Sequence, residues 1–346
     1  MSHLKMQHRE ARSEAMTVHS SEVLRRGVLP AIVLFFLAPL VSEFLLGDLP
    51  LNLLPALIVL APMYGGAALL VREGVRHTGR GWPSIVTLGL VFAIFEEAFT
   101  TQTLFNPNYL GLNLHLLRPA YIPVIGMGGW WTVYVLTLHT VWSISTSIAL
   151  TEVLFPDRET TPWLGRPGLI VTSVLLAVGA TVITRITLKG DRFVAPLSQF
   201  VGAAVICGLL AILAFRLPKA TSGGMPGKVP SPWVVGAVAL AAGSAFMLVP
   251  PPWGWTAVAV YLALDVVMIT AVYAWSRRSG WDARHRLSLA GGAALTYAWH
   301  SFPQKPVVPA SATLDLVGNI VFSFGAVFVI WMAARRRKTA QPARGA

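Results

Sequence analysis

The chain has 346 residues, of which 55% are hydrophobic and 12% charged, with a mean hydropathy of +0.63. Soluble domains carry about 25% charged residues, so there is too little charge here to coat a water-facing surface, and an ordinary soluble enzyme is excluded. The formal charge of +12 arises from 27 Lys and Arg against 15 Asp and Glu. In a soluble chain it would point to nucleic acid. In an apolar one it reads as membrane orientation, because cytoplasmic loops hold Lys and Arg, and no nucleic-acid partner is expected. The single cysteine, Cys207, excludes a disulfide framework and a cysteine metal cluster.

A membrane-spanning helix needs about 20 mainly apolar residues. Ten segments qualify or nearly so, at 28–46, 53–72, 84–103, 129–153, 168–187, 196–216, 233–249, 254–276, 287–301 and 315–334. The expected fold is an all-α, polytopic transmembrane helical bundle of about ten spans. Residues 1–26 read as a cytoplasmic tail, 27–216 as spans one to six with the candidate site, 217–232 as a Pro/Gly-rich hinge, 233–334 as spans seven to ten, and 335–346 as a basic tail. The ninth span is short, and its Gly291-Gly292 pair and exit through Ser301-Phe302-Pro303 would suit a re-entrant segment.

With the N-terminus inside, only Arg118, Arg185, Lys189, Arg192 and Lys305 fall outside, so 22 of the 27 cations sort to the inner side. That sorting predicts both termini in the cytoplasm and a multi-pass protein of a bacterial-type cell membrane, with the lipid bilayer as its surroundings. The exception is the loop 185–192, with three cations on the outer side. The long connection 104–128 is itself apolar, contains Tyr121 and runs into Trp130-Trp131, and is expected at the outer interface.

Ionised side chains at membrane depth cost at least roughly 2.5–3.5 kcal/mol, so those present carry the functional information. They are Glu43, Glu96, Glu97, His139, Asp265 and His300, with Glu152 and Asp315 nearer helix ends. At about 1.5 Å per residue, Glu96 and Glu97 lie roughly 10 Å from the outer surface and His139 roughly 15 Å, and an outward-opening cavity would hydrate them. Two adjacent carboxylates in low dielectric need a proton or a cation between them. Thr100 and Thr101, four residues on, extend their polar faces, and Ser143 and Thr146 do the same for His139. Asp265 is expected to bond Tyr261, and Glu43 to sit among the outer headgroups.

Glu96 and Glu97 are thus the candidate catalytic carboxylates, and Glu97, His139 and His300 the candidate metal ligands. A divalent ion such as zinc on three protein ligands keeps an open position for chemistry. No P-loop, dinucleotide fingerprint, HExxH, GxSxG or CxxC is present.

Phe95-Glu96-Glu97-Ala98 in a polytopic chain resembles the intramembrane metalloprotease family of CAAX prenyl endopeptidases and bacteriocin-processing enzymes. In that family a Glu-Glu-x-x-x-Arg helix is followed by a Phe-x-x-x-His and a His-x-x-x-Asn motif. Here position 101 is Thr where the family has Arg, Val135 stands four residues before His139, and His300 pairs with Gln304 across Pro303. The resemblance implies a membrane-embedded peptidase-like hydrolase acting on a peptide or lipid-linked substrate. Two other classes fit the residues. One is a proton-coupled carrier, with a relay of Glu and His and a span broken at Gly65-Gly66. The other is a non-catalytic subunit whose polar residues pack the spans.

Overall fold

The computed structural model describes residues 27–219 and 224–340; the tail at 1–26 and the end of the basic tail at 341–346 lie outside the described residues. Ten helices make an all-α bundle: α1 Gly27–Leu45, α2 Leu51–His77, α3 Trp82–Thr100, α4 Gly129–Leu154, α5 Arg166–Asp191, α6 Leu197–Arg216, α7 Pro232–Met247, α8 Trp255–Ser276, α9 Ala283–His300 and α10 Ala312–Ala340. Eight are long and apolar enough to cross a bilayer. Helix α7 is apolar but has 16 residues, and α9 opens on Arg284, His285 and Arg286. Among the described residues the only strands are the two-residue partners Tyr121–Ile122 and Met127–Gly128, a small hairpin in the connection before α4.

The helices alternate in direction. One end of the bundle gathers the cation-rich connections: Arg80 bonds the carbonyl of Leu217 at 2.8 Å, Arg286 pairs with Glu159, the Met225 amide donates to Arg277 O at 2.8 Å, and Arg336 reaches Leu154 O. The other end joins Asp48 O to the Val307 amide, Gln102 to the Ala195 amide, and Gln199 to Ile125 O.

Several expectations need correction. Helix α9 is continuous rather than re-entrant, and its glycines serve packing: a Cβ on Gly292 would lie 2.5 Å from Gly236 O of α7. Of the stretch after α6, residues 220–223 lie outside the described residues, and Met225 exchanges backbone bonds with Arg277 and Ser279 of the α8–α9 turn. The last helix runs on to Ala340, so Arg335 and Arg336 belong to it rather than to a tail.

Helix α4 is the axis of the bundle, with 67% of its apolar window buried, against 11% for α6 and 17% for α5 and α8. The latter present apolar faces outward, as helices facing hydrocarbon must. An aromatic layer fills the contact of α4 with α7, α8 and α9: Trp142 stacks on Tyr297 at 4.9 Å and Tyr134 on Phe246 at 5.6 Å. Helices α1, α2 and α3 pack on another side of α4, and that is where the polar residues collect.

Candidate functional site

Each of the first four helices contains a π-helical segment: Leu40–Leu45, Ala61–Gly65, Glu96–Thr100 and His139–Thr146. A π turn inserts one residue into the α ladder and re-aims the side chains around it, and such turns recur at functional sites. In α1 and α2 the sequence supplies a cause. Pro39 precedes the first segment and Pro62 lies inside the second, and proline has no N–H for the i→i−4 ladder. The four segments carry Glu43, Tyr64, the Glu96-Glu97 pair and His139, and their side chains converge.

His139 joins the two glutamates. Its Nε2 lies 3.0 Å from Glu97 Oε1 and its Nδ1 lies 3.3 Å from Glu96 Oε2 and 3.1 Å from Ser143 Oγ. One ligand atom from each of Glu96, Glu97 and His139 falls within 4.8 Å of the others. The Tyr64 hydroxyl donates to Glu96 Oε1, and the Glu43 carboxylate lies beside it. Glu97 Oε2 accepts from Thr103 Oγ1, which in turn accepts from Trp131 Nε1 at 2.9 Å, and from Thr101 Oγ1 at 3.4 Å. Water is nearly excluded: Glu96 is 1% exposed, Glu97 4% and His139 8%.

The charge and hydrogen-bond balance of this group is incomplete. Tyrosine has one hydroxyl proton, which goes to Glu96, so the neighbouring Glu43 carboxylate must be offset by another proton or a cation. Glu96 Oε2 is buried without a hydrogen-bond partner. Three carboxylates against one imidazole leave net negative charge in low dielectric even when the imidazole is protonated, which protons or a divalent cation must offset. The donor set of carboxylate oxygens and an imidazole nitrogen suits such an ion. Glu96, Glu97 and His139 can therefore hold a metal ion.

Other expectations fare differently. His300 is outside the group: the aromatic layer occupies the face between α9 and α4, and His300 ends α9 with its ring against Trp299 and its Nδ1 unpartnered. Gln304 bonds Asp48 Oδ1 at 2.8 Å. Asp265 accepts from Thr137 at 2.9 Å, while Tyr261 bonds Trp130 and Val249 O, so the expected Tyr–Asp pair does not form. Glu43 is turned inward to Tyr64 instead of outward to headgroups. The π turn separates the two threonines: Thr101 reaches Glu97, whereas Thr100 faces a groove between α3 and α5. Glu96 and Glu97 are themselves nearly inaccessible. The buried segment 101–106 folds over them, with Gln102 at a positive φ of 58° making the turn.

Tyr64 went unnoticed in the sequence because a tyrosine in an apolar span carries no charge. The signal that could have marked it was Pro62, two residues earlier.

The chain belongs to the Uncharacterized membrane protein family, whose model matches residues 32–340. No curated protein and no solved structure matches it. The match includes all four π-helical segments, and as a member of this family the protein sits in a lipid bilayer. The family match lends nothing to the likeness with CAAX endopeptidases, which stays with the Glu96-Glu97 pair and His139.

Proposed function

We propose that the protein is a membrane-embedded, metal-dependent hydrolase with Glu96, Glu97 and His139 at its reaction centre. The observation that carries this reading is the convergence of two carboxylates and an imidazole in a nearly dry site, with Glu96 Oε2 approached by His139 Nδ1 at 3.3 Å but accepting no hydrogen bond. Glu97 and His139 Nε2 would hold the ion, zinc by its preference for such donors. When bound, the ion supplies Lewis acidity toward a carbonyl or phosphoryl oxygen. Glu96 is placed to take a proton from an attacking water through Oε2, while Tyr64 fixes its Oε1. Ser143 on Nδ1 sets the orientation of the His139 ring. The substrate class is a peptide or a lipid-linked molecule arriving from within the membrane. The shared Glu-Glu pair with a histidine on the next span supports the analogy to intramembrane metalloproteases.

A proton-coupled carrier is the second reading. It is favoured by one observation, that both ring nitrogens of His139 face carboxylates, as in a proton-transfer station.

Metal analysis separates the two. Protein purified without chelators should retain about one equivalent of divalent ion, lost in Glu97→Gln and His139→Ala variants that still fold. Absence of metal even after incubation with zinc, together with proton flux in liposomes that needs His139, would overturn the hydrolase in favour of the carrier. For orientation, we infer cytoplasmic termini in a bacterial-type cell membrane. A cysteine at position 282 in a Cys207→Ser background should resist labelling from outside, and its labelling would reverse the assignment.

A further inference from the structure

We propose that an anionic phospholipid occupies the groove between α3 and α5, with its acyl chain along Phe95 and Phe99 and its phosphate on Arg185 and Lys189. The groove measures about 680 Å³ and is lined mainly by carbon, with Ala177 and Ala180 of α5 leaving the room that larger side chains would fill. That volume is within the roughly 300–1,000 Å³ of sites that take a small ligand. A hydrocarbon chain is the matching occupant for a groove that faces the bilayer.

The head of the groove is cationic. Arg185 and Lys189 stand four residues apart on one face of α5, near its outer end, and both are exposed. Among the described residues neither has an ion pair. These are two of the five cations that the charge sorting leaves on the outer side, and two of the three in the segment 185–192. Positive charge there works against the orientation rule, so it calls for a local use, and an anionic headgroup supplies one. Arginine can bind phosphate through two parallel N–H donors, and lysine can extend to the interface as a point charge. Apolar floor and paired cations are thus arranged as chain and headgroup of one amphiphile are arranged.

Thr100 connects this groove to the glutamates. It lines the groove and lies in the same π turn as Glu96 and Glu97. As a lateral route for a lipid-linked substrate, the groove rests on the hydrolase reading; as a lipid site it does not.

The test uses the full chain, delipidated in detergent, titrated with phosphatidylglycerol in mixed micelles and followed by native mass spectrometry. One lipid per chain is expected to remain bound. Arg185→Gln with Lys189→Gln should weaken it about thirtyfold, as expected for two basic residues at an anionic lipid surface. Ala180→Phe, which keeps the cations but fills the groove, should weaken it by a comparable factor. Phosphatidylcholine should compete at least tenfold less well, and glycerol phosphate, a head without a chain, should not compete. Equal binding of the two lipids, an unaffected double variant, an unaffected Ala180→Phe, or tight binding of glycerol phosphate would each overturn the proposal. Glu97→Gln should leave lipid binding intact, and the double cation variant should leave metal binding intact, so the lipid site and the metal site fail separately.

Discussion

His139 Nε2 and Glu97 Oε1 lie 3.0 Å apart, although they are 42 positions apart in the chain, with the long connection between α3 and α4 lying between them. The contact fixes how α3 and α4 face each other, and it depends on the ring plane of His139, which Ser143 holds through Nδ1 at 3.1 Å. Ser143→Ala should therefore leave the ligands in place but loosen the ring. Losing such an outer partner lowers metal affinity about 10–100-fold. Zinc titration by calorimetry measures this directly; an affinity equal to wild type would show that Ser143 does not position His139.

Tyr64 donates to Glu96 and lies beside Glu43. Tyr64→Phe removes the hydroxyl and strands a buried carboxylate oxygen, at a cost of about 1–3 kcal/mol. Glu43→Gln can donate an amide proton and should be milder. A double-mutant cycle on thermal stability in detergent should give a non-zero coupling between positions 43 and 64. Strict additivity would mean that the two side chains do not interact in solution.

The fold was largely legible in the sequence, because bilayer thickness sets helix length and the long apolar runs mark the helices. Glu96, Glu97 and His139 were legible too, since charge at membrane depth is costly and nearby groups of this kind find each other. Glu43 was misplaced for want of one local fact. The π turn after Pro39 rotates it inward, and a 3.6-residue period cannot show that rotation. The π turns at Glu96 and His139 have no proline or other mark in the sequence. His300 failed because spacing to a proline says nothing about which face α9 turns to α4, which the bulky Trp142–Tyr297 stack decides.

A second buried polar group shows what a fully satisfied one looks like. Arg72 bonds Glu152 at 3.0 Å, Glu73, and three carbonyls of the α4–α5 connection, and its guanidinium lies 3.2 Å from the Trp163 ring centroid. Arg76 completes Glu152 through both carboxylate oxygens. The sequence counts these arginines only as orientation signals, yet both are buried. Every guanidinium nitrogen of the pair is hydrogen-bonded, so the cluster locks α2 to α4 rather than awaiting a ligand. Glu152→Ala would leave two buried guanidiniums short of their counter-charge, a loss of about 3–5 kcal/mol. Unfolding in denaturing detergent should show it as a large drop in midpoint, and a change no larger than that of a surface substitution would disprove the lock.

The acidic turn after α1 gives the protein a pH dependence that can be traced to one residue. Asp48 lies beyond the end of the first span. Burial pushes its carboxyl up, Glu43 nearby adds to this, and the Gln304 amide and His139 pull back only in part, leaving it at about 7. The unfolded value is about 3.9, so between the two the folded chain holds a proton that the unfolded chain has lost. The stability this group contributes is complete below about pH 4, declines as pH rises, and is gone above about pH 7. Asp48→Asn keeps an oxygen to accept from Gln304 and leaves the backbone bond to Val307 untouched, but it cannot ionise. The variant should therefore lose the part of the pH slope that Asp48 supplies and exceed wild type in stability above pH 7. Melting temperatures taken from pH 5 to pH 8.5 decide the matter: parallel curves for the two proteins would mean that Asp48 is ionised in the folded state throughout.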